Sequence, residues 1–128
     1  MRYADYLRKS KVLLKEAEID MLNACYNKAV TGYWSSIEAL LRAFLLLMKK
    51  ALPERPGKLI SLANRELRKI YPKYGLLVGD INLIYVHRRN VEHRPIIADK
   101  TLAKDIANRS RKVITKLNEI IEKLINEK

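Results

Sequence analysis

The feature that most constrains this chain is residues 33–48, running from Tyr33-Trp34 through Ile37, Leu40, Leu41, Phe44 and Leu45 to Met48. No Gly or Pro interrupts them, and their helix propensity is high. They are apolar nearly all round, whereas a surface helix carries one apolar stripe. A helix of this kind needs partners on several sides, so it is expected at the centre of a bundle. Near its middle stand Glu38 and Arg42, four apart with the acid first. That is the favourable order for a same-face pair, and a structural ion pair between them is expected.

At 128 residues, one domain over 1–128 is expected. The hydrophobic share of 48% is enough for a core. Gly and Pro are scarce and β-type alternation is nearly absent, which points to an all-α fold. Arg2, Asp5, Arg8 and Lys9 break up any secretory signal, and Arg42 breaks the longest apolar run. Neither a signal peptide nor a membrane span is expected. The lone Cys25 cannot form an internal disulfide, so a reducing, cytoplasmic setting is expected. With no base beside it in sequence, Cys25 reads as a buried structural thiol rather than a nucleophile. The absence of Gln and the wealth of Lys, Glu and Ile suggest a thermophilic source. The net charge of +12 fits a polyanionic partner such as RNA, DNA or an acidic protein. Plain solubility explains it as well, and both readings stay open.

Taken in order, residues 2–24 carry Tyr3, Tyr6, Leu7, Leu13, Leu14, Ala17, Met21 and Ala24 at helical spacing. Tyr26-Asn27 is a junction or a bend. The central helix is expected from about Lys28 to Ala51, with Gly32 marking a close helix contact or a kink. Residues 52–57 form a loop, with two prolines and a glycine. A third helix is expected over 58–70, closed by Tyr71-Pro72. Residues 72–79 read as a loop or a ragged helix start. The fourth helix is expected from Asp80, as N-cap, to His93. Ile81, Ile84, Arg88 and Val91 share one side, which puts Arg88 on the apolar stripe. Residues 94–100 connect to a last helix, from Thr101 to Asn126. The whole is an all-α, up-and-down bundle of about five helices.

Chemistry concentrates in His87-Arg88-Arg89-Asn90-Val91-Glu92-His93-Arg94. The planar fork of Arg suits phosphate. A nearby His moves protons near neutral pH. Together they can cleave RNA without a metal, Arg holding the phosphate and His activating the 2′-hydroxyl or protonating the leaving oxygen. The helix C-terminus favours a protonated His. Arg88 and His93 are five apart, roughly 140° around an ideal helix. They are therefore expected to converge only if the helix unwinds near Asn90, or across two chains. The plainer reading is a solvated basic helix end, with Arg88 paired to an internal acid such as Glu38.

His87, Glu92, His93 and Asp99 are metal-capable in type, but no standard zinc spacing joins them. No metal and no cofactor is expected. Trp34 and Phe44 read as core rather than as a base-stacking platform. The scattered glycines make no phosphate-binding loop. Arg94, Lys100, Lys104, Arg109, Arg111 and Lys112 follow the Arg-rich stretch. If the last two helices pack antiparallel, these six form a nucleic-acid-binding surface at one end of the bundle. A scattered solvated face is the alternative.

Ser35-Ser36-Ile37-Glu38-Ala39-Leu40-Leu41-Arg42-Ala43-Phe44-Leu45 resembles the second-helix signature of HEPN domains. There a small residue leads into Glu, then a basic residue four later, then a Leu-rich run. Tyr26-Asn27-Lys28-Ala29 resembles the family's Tyr-Asn-x-Ala segment. The Arg-rich stretch ending in His93 sits where HEPN domains carry Arg-x4–6-His. The resemblance covers about Leu7 to Leu124 and extends to a small archaeal paralogous-repeat branch grouped with HEPN.

The resemblance implies a helical bundle that works as a homodimer. It implies a metal-independent endoribonuclease with Arg88 and His93 as catalytic residues, supported by Arg89 and Asn90. It also implies a toxin of a toxin–antitoxin pair, with a minimal nucleotidyltransferase as partner. The alternative is a non-catalytic HEPN-like bundle that binds nucleic acid, nucleotide or a protein. The family often has Arg-Asn, three residues, His, and a Tyr two further on. Here Arg88 to His93 has the matching gap, but Arg89 follows Arg88. Arg89-Asn90 matches the dipeptide with a gap one short, and Pro95 stands at the Tyr position.

Overall fold

A computed structural model describes residues 2–70 and 75–127. It contains the helices α1 (Tyr3–Leu22), α2 (Tyr26–Leu47), α3 (Pro56–Ile70), α4 (Gly75–His93) and α5 (Lys100–Asn126). Among the described residues there is no strand. Helix α2 is central and packs against each of the other four. Its Tyr33, Trp34, Ile37, Leu41, Phe44 and Leu45 are buried, as the all-round apolar pattern requires. From the other helices Ala17, Leu59, Leu67, Ile81, Ile84, Ile106, Val113 and Leu117 complete the core.

Small residues let α1 lie close against α2. A Cβ on Gly32 would stand 3.0 Å from the Cβ of Ala17, so Gly32 marks a close contact. Nearby, Ser10 Oγ donates to the Ser36 carbonyl and Ser36 Oγ donates to the Ser10 carbonyl, both at 2.9 Å. These buried hydroxyls are thereby satisfied without separating the helices.

Two helices stop earlier than the spacing suggests. At the end of α1, Ala24 takes φ 58°, the Cys25 N–H donates to the Asp20 carbonyl at 2.8 Å, and the Ala24 N–H donates to Met21. At the end of α2, Lys49 takes φ 59°, and the N–H groups of Lys50 and Lys49 donate to the carbonyls of Leu45 and Leu46. Both are left-handed caps of the kind usually marked by Gly. With Ala and Lys there, the stop leaves no sign in the sequence. Cys25 lies in the first of these turns and is exposed, which corrects the expectation of a buried thiol.

Helix α4 starts earlier than expected. Residues 72–79 are expected as a loop or a ragged helix start, but the chain is helical from Gly75, and the packing of the buried Leu77, Val78 and Ile81 overrides the weak propensity of Gly75 and Gly79. Asp80 is therefore not an N-cap. It sits inside α4 and accepts from Arg109 Nη1 at 2.7 Å. The expected closure at Tyr71-Pro72, and residues 72–74 of the expected loop, lie outside the described residues. Asp99 caps α5, accepting from the Leu102 N–H at 2.8 Å.

The expected Glu38–Arg42 pair is not formed. Arg42 Nη1 donates instead to the Pro53 carbonyl at 3.3 Å. The loop after α2 folds back and offers that carbonyl, while Glu38 and Arg42 both line an open recess shared with Tyr6 and Lys9. The buried acid among the described residues is Glu66, ringed by Lys69 at 2.9 Å, Lys50 at 3.5 Å and Arg65 at 3.7 Å. The Lys69 contact, with help from Lys50, holds its carboxyl below the usual range.

Two stability outcomes follow from this packing. Gly79 has open space where a Cβ would go, so Gly79→Ala should stabilise the protein by about 1 kcal/mol in chemical denaturation. Gly32→Ala should destabilise it despite the same propensity gain, because the new methyl would stand 3.0 Å from the Ala17 Cβ between two packed helices. Relief by Ala17→Gly in that background would confirm the contact. For Glu66 the folded pKa lies below its ordinary 4.5. Its contribution is thus present above that value and lost as pH falls through the folded pKa. Glu66→Gln should lower Tm at neutral pH, and the deficit should shrink in melts below about pH 4.

Candidate functional site

The stretch rich in Arg and His occupies the last turns of α4. The helix continues without unwinding through His93, and the Asn90 carbonyl accepts from the Arg94 N–H at 3.1 Å. Unwinding near Asn90 is therefore not how Arg88 and His93 approach each other. Their long side chains reach one atom instead. Arg88 Nη2 lies 2.8 Å from Glu92 Oε2, and His93 Nε2 lies 3.7 Å from the same oxygen.

Arg88 does lie partly against the apolar side, its side chain 22% exposed, and Glu92 is its acid partner rather than Glu38. The pair is one-edged. Arg88 Nε is buried and has no hydrogen-bond partner among the described residues. His93 projects outward, its side chain 67% exposed. The Arg88–Glu92 spacing of four was visible in the sequence, but in the basic-first order that favours a helical pair less.

Arg89 leaves this centre. Its guanidinium stands over the Tyr85 ring at 5.8 Å, and Tyr85 tilts against the buried Trp34 at 5.1 Å. Asn90 lines a recess of about 160 Å³ with Val86, Arg89, His93 and Arg94. Val86 is 47% exposed there, an apolar side chain beside the charged groups. Among the described residues no three His, Cys, Asp or Glu side chains are grouped as metal ligands.

The chain beyond His93 is anchored by Asn27, whose Oδ1 accepts from the Ala98 N–H at 2.7 Å. This ties the connector to the start of α2 and fixes where α5 begins. Residue pattern alone had not marked Asn27 as a positioning group. The Asp80–Arg109 pair joins points of α4 and α5 well away from the connector, so the two helices run antiparallel.

The six basic residues expected to bind nucleic acid divide into two groups. Arg109 bonds both oxygens of Asp105 at 3.1 Å as well as Asp80. Arg111 bonds both oxygens of Glu18 at 3.2 and 3.1 Å, Asn108 at 3.0 Å and the Tyr33 hydroxyl at 3.4 Å. Tyr33 also donates to Glu18, and burial with that bond pushes its hydroxyl pKa upward. These two arginines therefore tie helices together. Arg94, Lys100, Lys104 and Lys112 are exposed, and among the described residues their side chains make no ion pair. No helix among the described residues is long and apolar enough to cross a membrane.

The family model described as the HEPN domain matches residues 3–121. The chain thus belongs to the HEPN domain family, an all-α bundle in agreement with the helices seen here. A comparison with curated proteins finds no match.

Proposed function

As the reading for this HEPN-domain chain, we propose a homodimeric, metal-independent endoribonuclease centred on Arg88 and His93. The observation that carries it is the single oxygen reached by both Arg88 Nη2 and His93 Nε2. An anionic oxygen of a scissile phosphate fits that position, held by a guanidinium and within reach of an imidazole. The His93 of one chain takes the proton of the 2′-hydroxyl, and the 2′-oxygen attacks phosphorus. The bond to the 5′-oxygen breaks as the His93 of the second chain supplies its proton. The products are a 2′,3′-cyclic phosphate and a 5′-hydroxyl. Arg89 and Asn90, beside His93, support the strand, and Val86 suits burial where two such helices meet.

In this reading residues 1–128 form one domain of the archaeal paralogous-repeat branch, working in the cytoplasm of a thermophile. Its setting is a toxin–antitoxin pair with a minimal nucleotidyltransferase. RNA cleavage should persist in chelator and fall by about 10²-fold or more in Arg88→Ala or His93→Ala. Product mapping should find cyclic-phosphate ends. Cleavage that survives both substitutions would assign the activity elsewhere.

The non-catalytic reading is favoured by one observation: four exposed cations have no ion-pair partner among the described residues, whereas Arg88 is engaged by Glu92. RNA binding through Arg94, Lys100, Lys104 and Lys112 should then weaken steeply with salt. Each of Lys104→Ala and Lys112→Ala should reduce the log–log salt slope by about 0.7 for single-stranded RNA. Affinity that is flat from low to moderate salt would remove this reading.

A further inference from the structure

We propose that Glu92 is the internal anion of this centre. In the free protein its carboxylate holds the place between Arg88 and His93 that an RNA phosphate takes on binding. The proposal rests on the reading of Arg88 and His93 as a phosphate site.

Carboxylate and phosphate are the two anions a guanidinium fork accepts in the same way. One Glu92 oxygen meets both Arg88 Nη2, at 2.8 Å, and His93 Nε2, at 3.7 Å. The occupation is incomplete, because Arg88 Nε remains buried without an acceptor. A second acceptor oxygen is what Arg88 lacks, and a phosphate brings more than one.

Three features make Glu92 releasable. It stands in the last turn of α4, where a negative charge opposes the helix dipole. It follows Arg88 in the less favourable order for a helical pair. Its side chain is 27% exposed and also lines an open groove between α1 and α2. That groove, about 720 Å³, is lined by Leu13, Ala17, Gly32 and Val91 and carries Lys28 beside Glu16 and Asp20. A displaced Glu92 side chain has room there without disturbing the helix. Glu92 is thus a positioning residue. It keeps Arg88 extended toward His93 and yields when a phosphate arrives.

The test is binding of a short 2′-O-methyl RNA, which cannot be cleaved through its 2′-oxygen, to wild type, Glu92→Gln and Glu92→Ala. Both variants should bind about fivefold tighter, the worth of one partly screened ion pair. In an Arg88→Ala background the gain should shrink to less than about twofold, since no pair is left to compete with. Unchanged or weaker binding by both variants would overturn the proposal. An equal gain in the Arg88→Ala background would overturn it too, because general charge repulsion would then explain the effect. Unmodified RNA separates this proposal from the ribonuclease reading. Tightening without cleavage by any variant supports the proposal and removes the ribonuclease. Arg88-dependent cleavage without tightening does the reverse.

Discussion

Removal of most of α2 from water is the constraint from which the rest of the architecture follows. A helix with Tyr33, Trp34, Ile37, Leu41 and Phe44 all buried cannot be covered by one neighbour. It requires α1, α3, α4 and α5 around it. Each of those helices is amphipathic and spends its apolar stripe on α2 or on the neighbours α2 brings together. The close approach of α1 is part of the same requirement. Ala17 against Gly32, and Ser10 against Ser36, shorten the distance between backbones while the hydroxyls of Ser10 and Ser36 each find a carbonyl of the facing helix.

With the centre apolar, charge is organised around the outside in two ways. Some cations are partners of the fold: Lys69 on Glu66, Arg109 on Asp80 and Asp105, Arg111 on Glu18. Others, near the connector and along α5, are left to solvent. The 26 Lys and Arg residues therefore overstate what is offered to a polyanion, whereas the net charge of +12 already subtracts the acids that engage some of them. The end of α4 belongs to neither class. Arg88 is paired, but on one edge only, and its acid stands at a helix terminus that does not favour it.

How much was legible in the residues varies with the physical cause. The central helix and the five-helix count were readable, because burial on all sides and 3.6-residue spacing are written directly in residue type. The ends of α1 and α2 were not. Ala24 and Lys49 adopt a backbone shape that Gly usually announces. The start of α4 was hidden for the opposite reason: Gly75 and Gly79 announce a turn that the packing of Leu77, Val78 and Ile81 overrules. At the candidate site, spacing set Arg88 and His93 roughly 140° apart and treated their side chains as short spokes. Their length, and a Glu92 carboxylate between them, closes a gap that helical angles alone leave open. The pairing of Arg109 and Arg111 was not legible, because their acids come from other helices or lie across the turn, where sequence order gives no guide.

The turn that ends α1 leaves the chain's single thiol on the surface, in a recess it shares with Asn27, Ile97 and Ala98. Asn27 is also the anchor of the connector that leads away from His93. A spin label or fluorophore attached at Cys25 would therefore report from beside that anchor, with no other cysteine to compete for it. In a symmetric assembly of two chains it would yield one label-to-label distance. The native sequence thus carries its own ruler for how two such bundle ends face each other.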